Sequence, residues 1–177
     1  MLVLLDSNIF FSALISPRSL PACIVHAWRD GRFRLLTCQH QIDEIREASR
    51  NPKFRALFQP RQVGAMLNHI YGATVWPDPL PRKHEAADPA DSYLLDLIEA
   101  AEPDYAVTGD KRSGLLQRDK LGRTKILKAS AFCADVLHMG SLSRDRYGSS
   151  PLIVPVVTPG PHSFPLKSSR GVTKNAP

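Results

Sequence analysis

Four carboxylates stand where an acid could do chemistry: Asp6, Glu44, Asp91 and Asp110. Asp6 ends the apolar run Leu2-Val3-Leu4-Leu5, and Asp110 follows the strand-like stretch DYAVT at Asp104 to Thr108. Glu44 lies about one turn into the helical pattern after Cys38, and Asp91 falls in the first turn of another helix, directly after a proline-rich loop. In a doubly wound sheet, strand C-termini and the first turns of the following helices share one edge. Asp6, Glu44 and Asp110 fit that edge directly. Asp91 fits it if its helix starts there.

Two unit charges about 4 Å apart repel by roughly 4 kcal/mol at an effective dielectric of about 20. Four clustered acids therefore need protonation, side chains that turn away, or a cation among them. Oxygen-only ligand sets suit Mg²⁺ or Mn²⁺. The sequence holds no His–Cys cluster to recruit zinc and no GxxxxGK[ST] loop to cradle a nucleotide. A metal clamped by carboxylates at a sheet edge points to phosphoryl chemistry, in which it stabilises attacking and leaving oxygens.

Each acid taken alone also has a purely structural explanation. Asp6 and Asp110 could cap helices or turns. Glu44, beside Asp43, Arg46 and Glu47, could belong to a solvated face. Asp91, with Asp88, could complement the positive end of a helix. It is the shared position near strand exits that favours function.

The elements that must hold these acids alternate between strand and helix. Leu2 to Leu5 reads as a buried parallel strand. Pro21 to Asp30 carries a helical apolar stripe closed by Gly31, and Phe33 to Cys38 reads as the second strand. Gln39 to Ser49 and Arg61 to Tyr71 follow as helices, broken apart by Asn51-Pro52, with a short helical turn expected over Lys53 to Phe58. Ala73 to Trp76 is a strand, and Ala90 to Ala101 is the strongest helix in the chain, with Pro89 at its start. The DYAVT strand follows, then a short helix at Leu115-Leu116, a strand at Lys125 to Leu127 and a closing helix from Ala129 to Leu137. Such alternation predicts an α/β fold around a mainly parallel sheet.

At 177 residues the chain fits one domain with a tail. Residues 1–139 form the expected domain. Residues 140–177 are rich in Ser, Pro and Gly without a sustained period, and read as disordered or loosely docked. The net charge of +6 favours polyanionic partners. Most of it lies in the tail, where Arg144, Arg146, Lys167, Arg170 and Lys174 face Asp145 alone. No apolar stretch is long enough to span a bilayer, and no signal-peptide pattern opens the chain, so a cytoplasmic protein without membrane contact is expected. Cys23, Cys38 and Cys133 lack CxxC spacing and read as small core residues.

Four segments resemble the PIN-domain nucleases, especially the toxin components of toxin–antitoxin systems akin to VapC. They are VLLDSNIFFSAL at 3–14, IDEIREA at 42–48, DPADSYLLDLIEAAEPDYAVTGDK at 88–111 and TKILKASAFCADVL at 124–137. The third is the most specific. The resemblance covers about residues 1–137 and implies a three-layer α/β/α sandwich in which three or four acids hold Mg²⁺ or Mn²⁺ and RNA phosphodiesters are hydrolysed. Asp6, Glu44, Asp91 and Asp110 match the family's acids in turn. Asn8 matches a polar helper beside the first, and Thr108 a hydroxyl near the fourth. The resemblance further implies a metal-held water as nucleophile, with Asp6 and Asp91 as direct ligands and Glu44 or Asp110 acting through water or orienting the nucleophile. It implies two partners, a cognate antitoxin and a second copy of the domain in a homodimer. The chain departs from the family in carrying Lys111-Arg112-Ser113 where many members carry another acid.

Single-strand binding calls for basic residues near the acids. Arg82 and Lys83 precede Asp91, and Lys111 and Arg112 follow Asp110, so both pairs are candidates to hold RNA. His40 reads as a capping or surface residue with catalysis as the alternative, and Phe10, Phe11, Trp28 and Trp76 as core or dimer contacts. Two other functions remain open on the sequence. A haloacid-dehalogenase-like phosphatase would also place an Asp after strand one, but wants a second Asp where this chain has Asn8. A non-catalytic RNA- or protein-binding domain would not need four mutually repelling acids.

Overall fold

All four side chains of Leu2–Leu5 (β1) are buried, as a strand covered on both faces requires. Val3 and Leu5 join one hydrophobic cluster, while Leu2 and Leu4 join another. β1 therefore divides two cores, and its period of two assigns alternate residues to each. The computed structural model describes residues 1–52, 57, 59–72, 74–76, 80, 92–109 and 115–139.

After β1 the elements are α1 (Ser7–Ile15), α2 (Leu20–Arg29), β2 (Arg34–Cys38), α3 (Gln39–Arg50), α4 (Pro60–Tyr71), β3 (Thr74–Trp76), α5 (Ser92–Ala101) and β4 (Tyr105–Thr108). A 3₁₀ turn at Leu115–Arg118, β5 (Lys120–Leu121), β6 (Thr124–Lys128) and α6 (Ala129–Ala131), which runs into a π-helical turn at Phe132–Val136, complete the described chain. Six strands form one sheet in the order β3-β2-β1-β4-β6-β5. All neighbours are parallel except β5 and β6. Residues of α1, α2, α3 and α4 pack on the Val3–Leu5 side, and those of α5 and the 3₁₀ turn on the other. This is the expected α/β/α sandwich.

Three local features depart from the sequence expectation. Residues 7–15 form a helix that the apolar cluster Ile9-Phe10-Phe11 did not announce. Residues 120–121 add a two-residue antiparallel edge strand through a tight turn in which Gly122 takes a positive φ of 57°. The closing helix is α-helical for three residues only. It then widens, with the Leu137 amide donating to the Phe132 carbonyl at 3.0 Å. The wider turn keeps Phe132, Cys133 and Leu137 buried together. All three cysteines are buried and free. Phe10 is fully buried in the core, with the partly buried Trp28 packed edge-on against it at 6.3 Å. Among the described residues, no single helix is long and apolar enough to cross a membrane.

The strand order reverses between β1 and β4. The chain runs outward from β1 through β2 to β3, then returns to lay β4 on the other side of β1. Open α/β sheets bind ligands at the crevice beyond the strand C-termini at such a switch point. Asp6 and Thr108 occupy that place.

Candidate active site

Asp6 serves two structures at once. Its backbone N–H donates to the Val107 carbonyl at 2.9 Å, which continues the pairing of β1 with β4. Its extended backbone makes it the N-cap of α1, and its Oδ1 accepts the Asn8 amide at 3.2 Å. The capping role and a site role are therefore compatible. Its other oxygen, Oδ2, accepts the Thr108 hydroxyl at 2.6 Å and the Asn8 side-chain amide at 2.7 Å. Asp6 as a whole is only 8% exposed, so these bonds work in a medium that screens them weakly.

Asn8 locks the two strand ends together. Its Nδ2 also approaches Thr108 Oγ1 at 3.3 Å, while its Oδ1 accepts the Gly109 amide at 3.0 Å. A Cβ on residue 109 would meet Asn8 Oδ1 at 3.2 Å, so any other residue here would require the Asn8 side chain to give by a few tenths of an ångström. The amide orientation of Asn8 is set by having an acceptor on one side and a donor on the other.

Glu44 lies on α3, half-buried, while its neighbours Asp43 and Arg46 form an ion pair on the outer side of the helix. Glu44 turns inward instead. Its Oε2 accepts the Ser7 hydroxyl at 2.7 Å and the Tyr93 hydroxyl at 2.7 Å, and those two hydroxyl oxygens are 3.4 Å apart. Tyr93 comes from the first turn of α5 and is buried. Burial, then the Glu44 charge, keep its phenol protonated well above the usual value near 10, and the Asp6 charge adds to the effect. The exposed His40 ring lies tilted on Tyr93, with ring centroids 4.5 Å apart.

Behind both acids sits Gln41, which is fully buried. Its Nε2 donates to the Leu5 carbonyl at 2.6 Å, and its Oε1 accepts the Thr37 hydroxyl at 2.8 Å. Gln41 thus fixes α3 against the end of β1, one residue before Asp6.

The structure brings together Asp6, Asn8 and Thr108, and joins Glu44 to that group through Ser7, the residue after Asp6. Asp91, Asp110, Arg82, Lys83, Lys111 and Arg112 lie outside the described residues, as do the helical turn expected at 53–58 (apart from Leu57), most of the proline loop and the tail from 140. Among the described residues, no group of three His, Cys, Asp or Glu side chains forms a metal site. Asp6 and Glu44 are the two of the four acids expected from the sequence that lie among the described residues. The possible metal donors here are carboxylate oxygens, whose chemistry is compatible with a hard divalent cation such as Mg²⁺ or Mn²⁺.

Ser7, Tyr93 and Gln41 are not among the site residues expected from the sequence. For Tyr93 the available signal was its place two residues after Asp91, in the first turn of a helix, where an aromatic otherwise reads as core. Gln41 carried a weaker signal, as a polar residue beside the apolar stripe that starts at Ile42.

Residues 2–112 match the model of the PIN domain family, a span of more than half the chain. No curated protein and no solved structure matches the chain.

Proposed function

The chain belongs to the PIN-domain family, whose fold is that of a nuclease, and we propose that it is a Mg²⁺- or Mn²⁺-dependent endoribonuclease acting on single-stranded RNA, the toxin of a toxin–antitoxin pair. The observation that carries this reading is the pair of carboxylates at the switch point, each oriented by two neighbouring side chains. Asp6 is held by Thr108 and Asn8, and Glu44 by Ser7 and Tyr93. A site that served only packing would not need to turn two acids to one edge and fix them both. PIN-domain membership also replaces the phosphatase alternative.

Asp6 and Glu44 would hold the cation, with Asp91 and Asp110 completing the set. The sequence neighbours of those two acids reach the cluster, Tyr93 through Glu44 and Gly109 through Asn8, which supports the assignment. A divalent cation there supplies Lewis-acid stabilisation of a phosphodiester and of its attacking and leaving oxygens. The protein's part is orientation. Thr108 and Asn8 fix the direction of the Asp6 carboxylate, and Gln41 fixes the strand end that carries it. Arg82, Lys83, Lys111 and Arg112 are the proposed phosphate contacts, and an antitoxin and a second copy of the domain the proposed protein partners. The proposed setting is the cytoplasm, where RNA is available.

The test is cleavage of end-labelled single-stranded RNA by the purified full chain. Cutting is expected with Mn²⁺ or Mg²⁺, stopped by EDTA and lost in Asp6→Asn with the fold intact by circular dichroism. Wild-type rates from Asp6→Asn, or release of phosphate from small esters with RNA left whole, would overturn the assignment. Cleavage without growth arrest on expression would retain the nuclease and remove the toxin role.

A further inference from the structure

We propose that Tyr93 is a positioning residue of this site, its hydroxyl fixing the orientation in which Glu44 offers a carboxylate oxygen to a divalent cation. The inference rests on the nuclease reading and adds to it a residue that does not itself touch cation or RNA.

Tyr93 and Ser7 each donate to Glu44 Oε2 at 2.7 Å, from two different elements. Among the described residues both bonds fall on the same oxygen. Oε2 is therefore the anchored oxygen, and Oε1 is the one turned away from the clamp. A half-buried glutamate on a helix face otherwise samples several rotamers, and that freedom is lost when it binds a cation. Spending the hydroxyls of Ser7 and Tyr93 on one oxygen removes the freedom beforehand.

The Tyr93 hydroxyl is not explained by packing. The ring sits in the cluster with Leu94, Leu97 and Ile98, and phenylalanine would fill the same space. A hydroxyl buried there is unfavourable unless it is bonded, and its bond is to the candidate ligand. The exposed His40 ring lies tilted against the Tyr93 ring, with centroids 4.5 Å apart, and Tyr93 itself is buried. Partners of metal-ligating carboxylates typically change metal affinity or activity by about 10–100-fold when removed.

The test is Mn²⁺ affinity of the full chain without RNA, measured by titration calorimetry, alongside steady-state cleavage. Tyr93→Phe should weaken Mn²⁺ binding by about tenfold or more and lower kcat on single-stranded RNA while KM stays close to wild type. In a Glu44→Ala background, Tyr93→Phe should have no further effect on Mn²⁺ affinity. A packing defect would weaken binding in both backgrounds, and that result overturns the role. On the wild-type chain, the ¹³Cζ resonance of Tyr93 should shift as Mg²⁺ saturates the site. This readout needs no variant to fold, and a resonance unmoved at saturation also overturns the proposal. If wild type binds Mn²⁺ and cuts RNA and Tyr93→Phe matches it, only the Tyr93 role fails. If wild type does neither, the nuclease reading itself fails and takes this inference with it.

Discussion

The Thr108 hydroxyl donates to Asp6 Oδ2 at 2.6 Å across the junction of two adjacent parallel strands. One hundred and two residues separate the two in the chain. Each follows its strand to the same edge, because the parallel register pairs Leu5 with Val107 and sets the next residue of each strand side by side. The orientation of the first acid is therefore a product of topology. It cannot be moved without disturbing the centre of the sheet.

Replacing Thr108 by Val removes the donor and keeps the shape. A hydrogen bond to a charged group contributes about 1.5–3 kcal/mol, so Thr108→Val should lose about that much unfolding free energy in EDTA, read from its lower urea midpoint at unchanged m. Thr108→Ser should retain most of the stability. Mn²⁺ affinity should fall by about 10–100-fold in the Val variant. Equal stability and equal affinity would show that Asp6 needs no help from the Thr108 hydroxyl.

Asn8→Asp tests the charge logic of the cluster. Asn8 Nδ2 lies 2.7 Å from Asp6 Oδ2, so the change turns a donor into a facing carboxylate oxygen. Repulsion of roughly 4 kcal/mol at about 4 Å and an effective dielectric of about 20 is the scale of the effect. The variant should be destabilised in EDTA and regain much of the loss when Mn²⁺ is added. Thermal melts with and without Mn²⁺ check this, and a variant equally stable under both conditions would contradict it.

Gln41→Leu should destabilise the fold more than an ordinary surface change. It leaves the buried Thr37 hydroxyl and the Leu5 carbonyl without the partner they share. A buried polar group left unsatisfied costs about 1–3 kcal/mol. The Thr37 hydroxyl keeps a longer contact to the Cys38 carbonyl at 3.5 Å, so the loss read by chemical denaturation should lie nearer to one such group than to two. Because Leu5 directly precedes Asp6, RNA cleavage should fall as well in whatever fraction stays folded.

His26 gives a prediction away from the site. Burial, with Arg29 adding to it and Asp30 opposing, holds its imidazole below the usual 6.5. The unfolded chain then takes up a proton at a pH where the folded chain resists it. This contribution to stability is complete above about pH 6.5 and is lost as pH falls through the depressed folded value. The difference in stability between wild type and His26→Gln should be flat above neutrality and decline on the acid side. A difference that stays flat through pH 5 would contradict it.

Much of the frame was legible because it rests on local pattern. Leu2 to Leu5 announced a buried strand, and Ile42 and Ile45 announced the helix that carries Glu44. The strand exits placed Asp6 and the end of the DYAVT strand on one edge, and the family pattern set Thr108 near Asp110. The hydrogen bond from Thr108 to Asp6 was not anticipated, since no local signal joins residues so far apart. α1 was legible only as the capping role allowed for Asp6, which the structure bears out; its extent was not, because Ser7-Asn8 also reads as turn chemistry. Gln41 and Tyr93 were missed for a different reason. A buried polar group is recognised by its partners, and those lie on other elements: Leu5 and Thr37 for Gln41, Ser7 and Glu44 for Tyr93.

The most direct measurement is the anomalous difference map of crystals of the full chain grown with Mn²⁺. The account predicts Mn²⁺ bonded to Asp6, with Glu44 bonded to it directly or through one water, and Thr108 and Tyr93 still donating to their carboxylates. Mn²⁺ bound elsewhere on the chain, with no density beside Asp6 and Glu44, would contradict it.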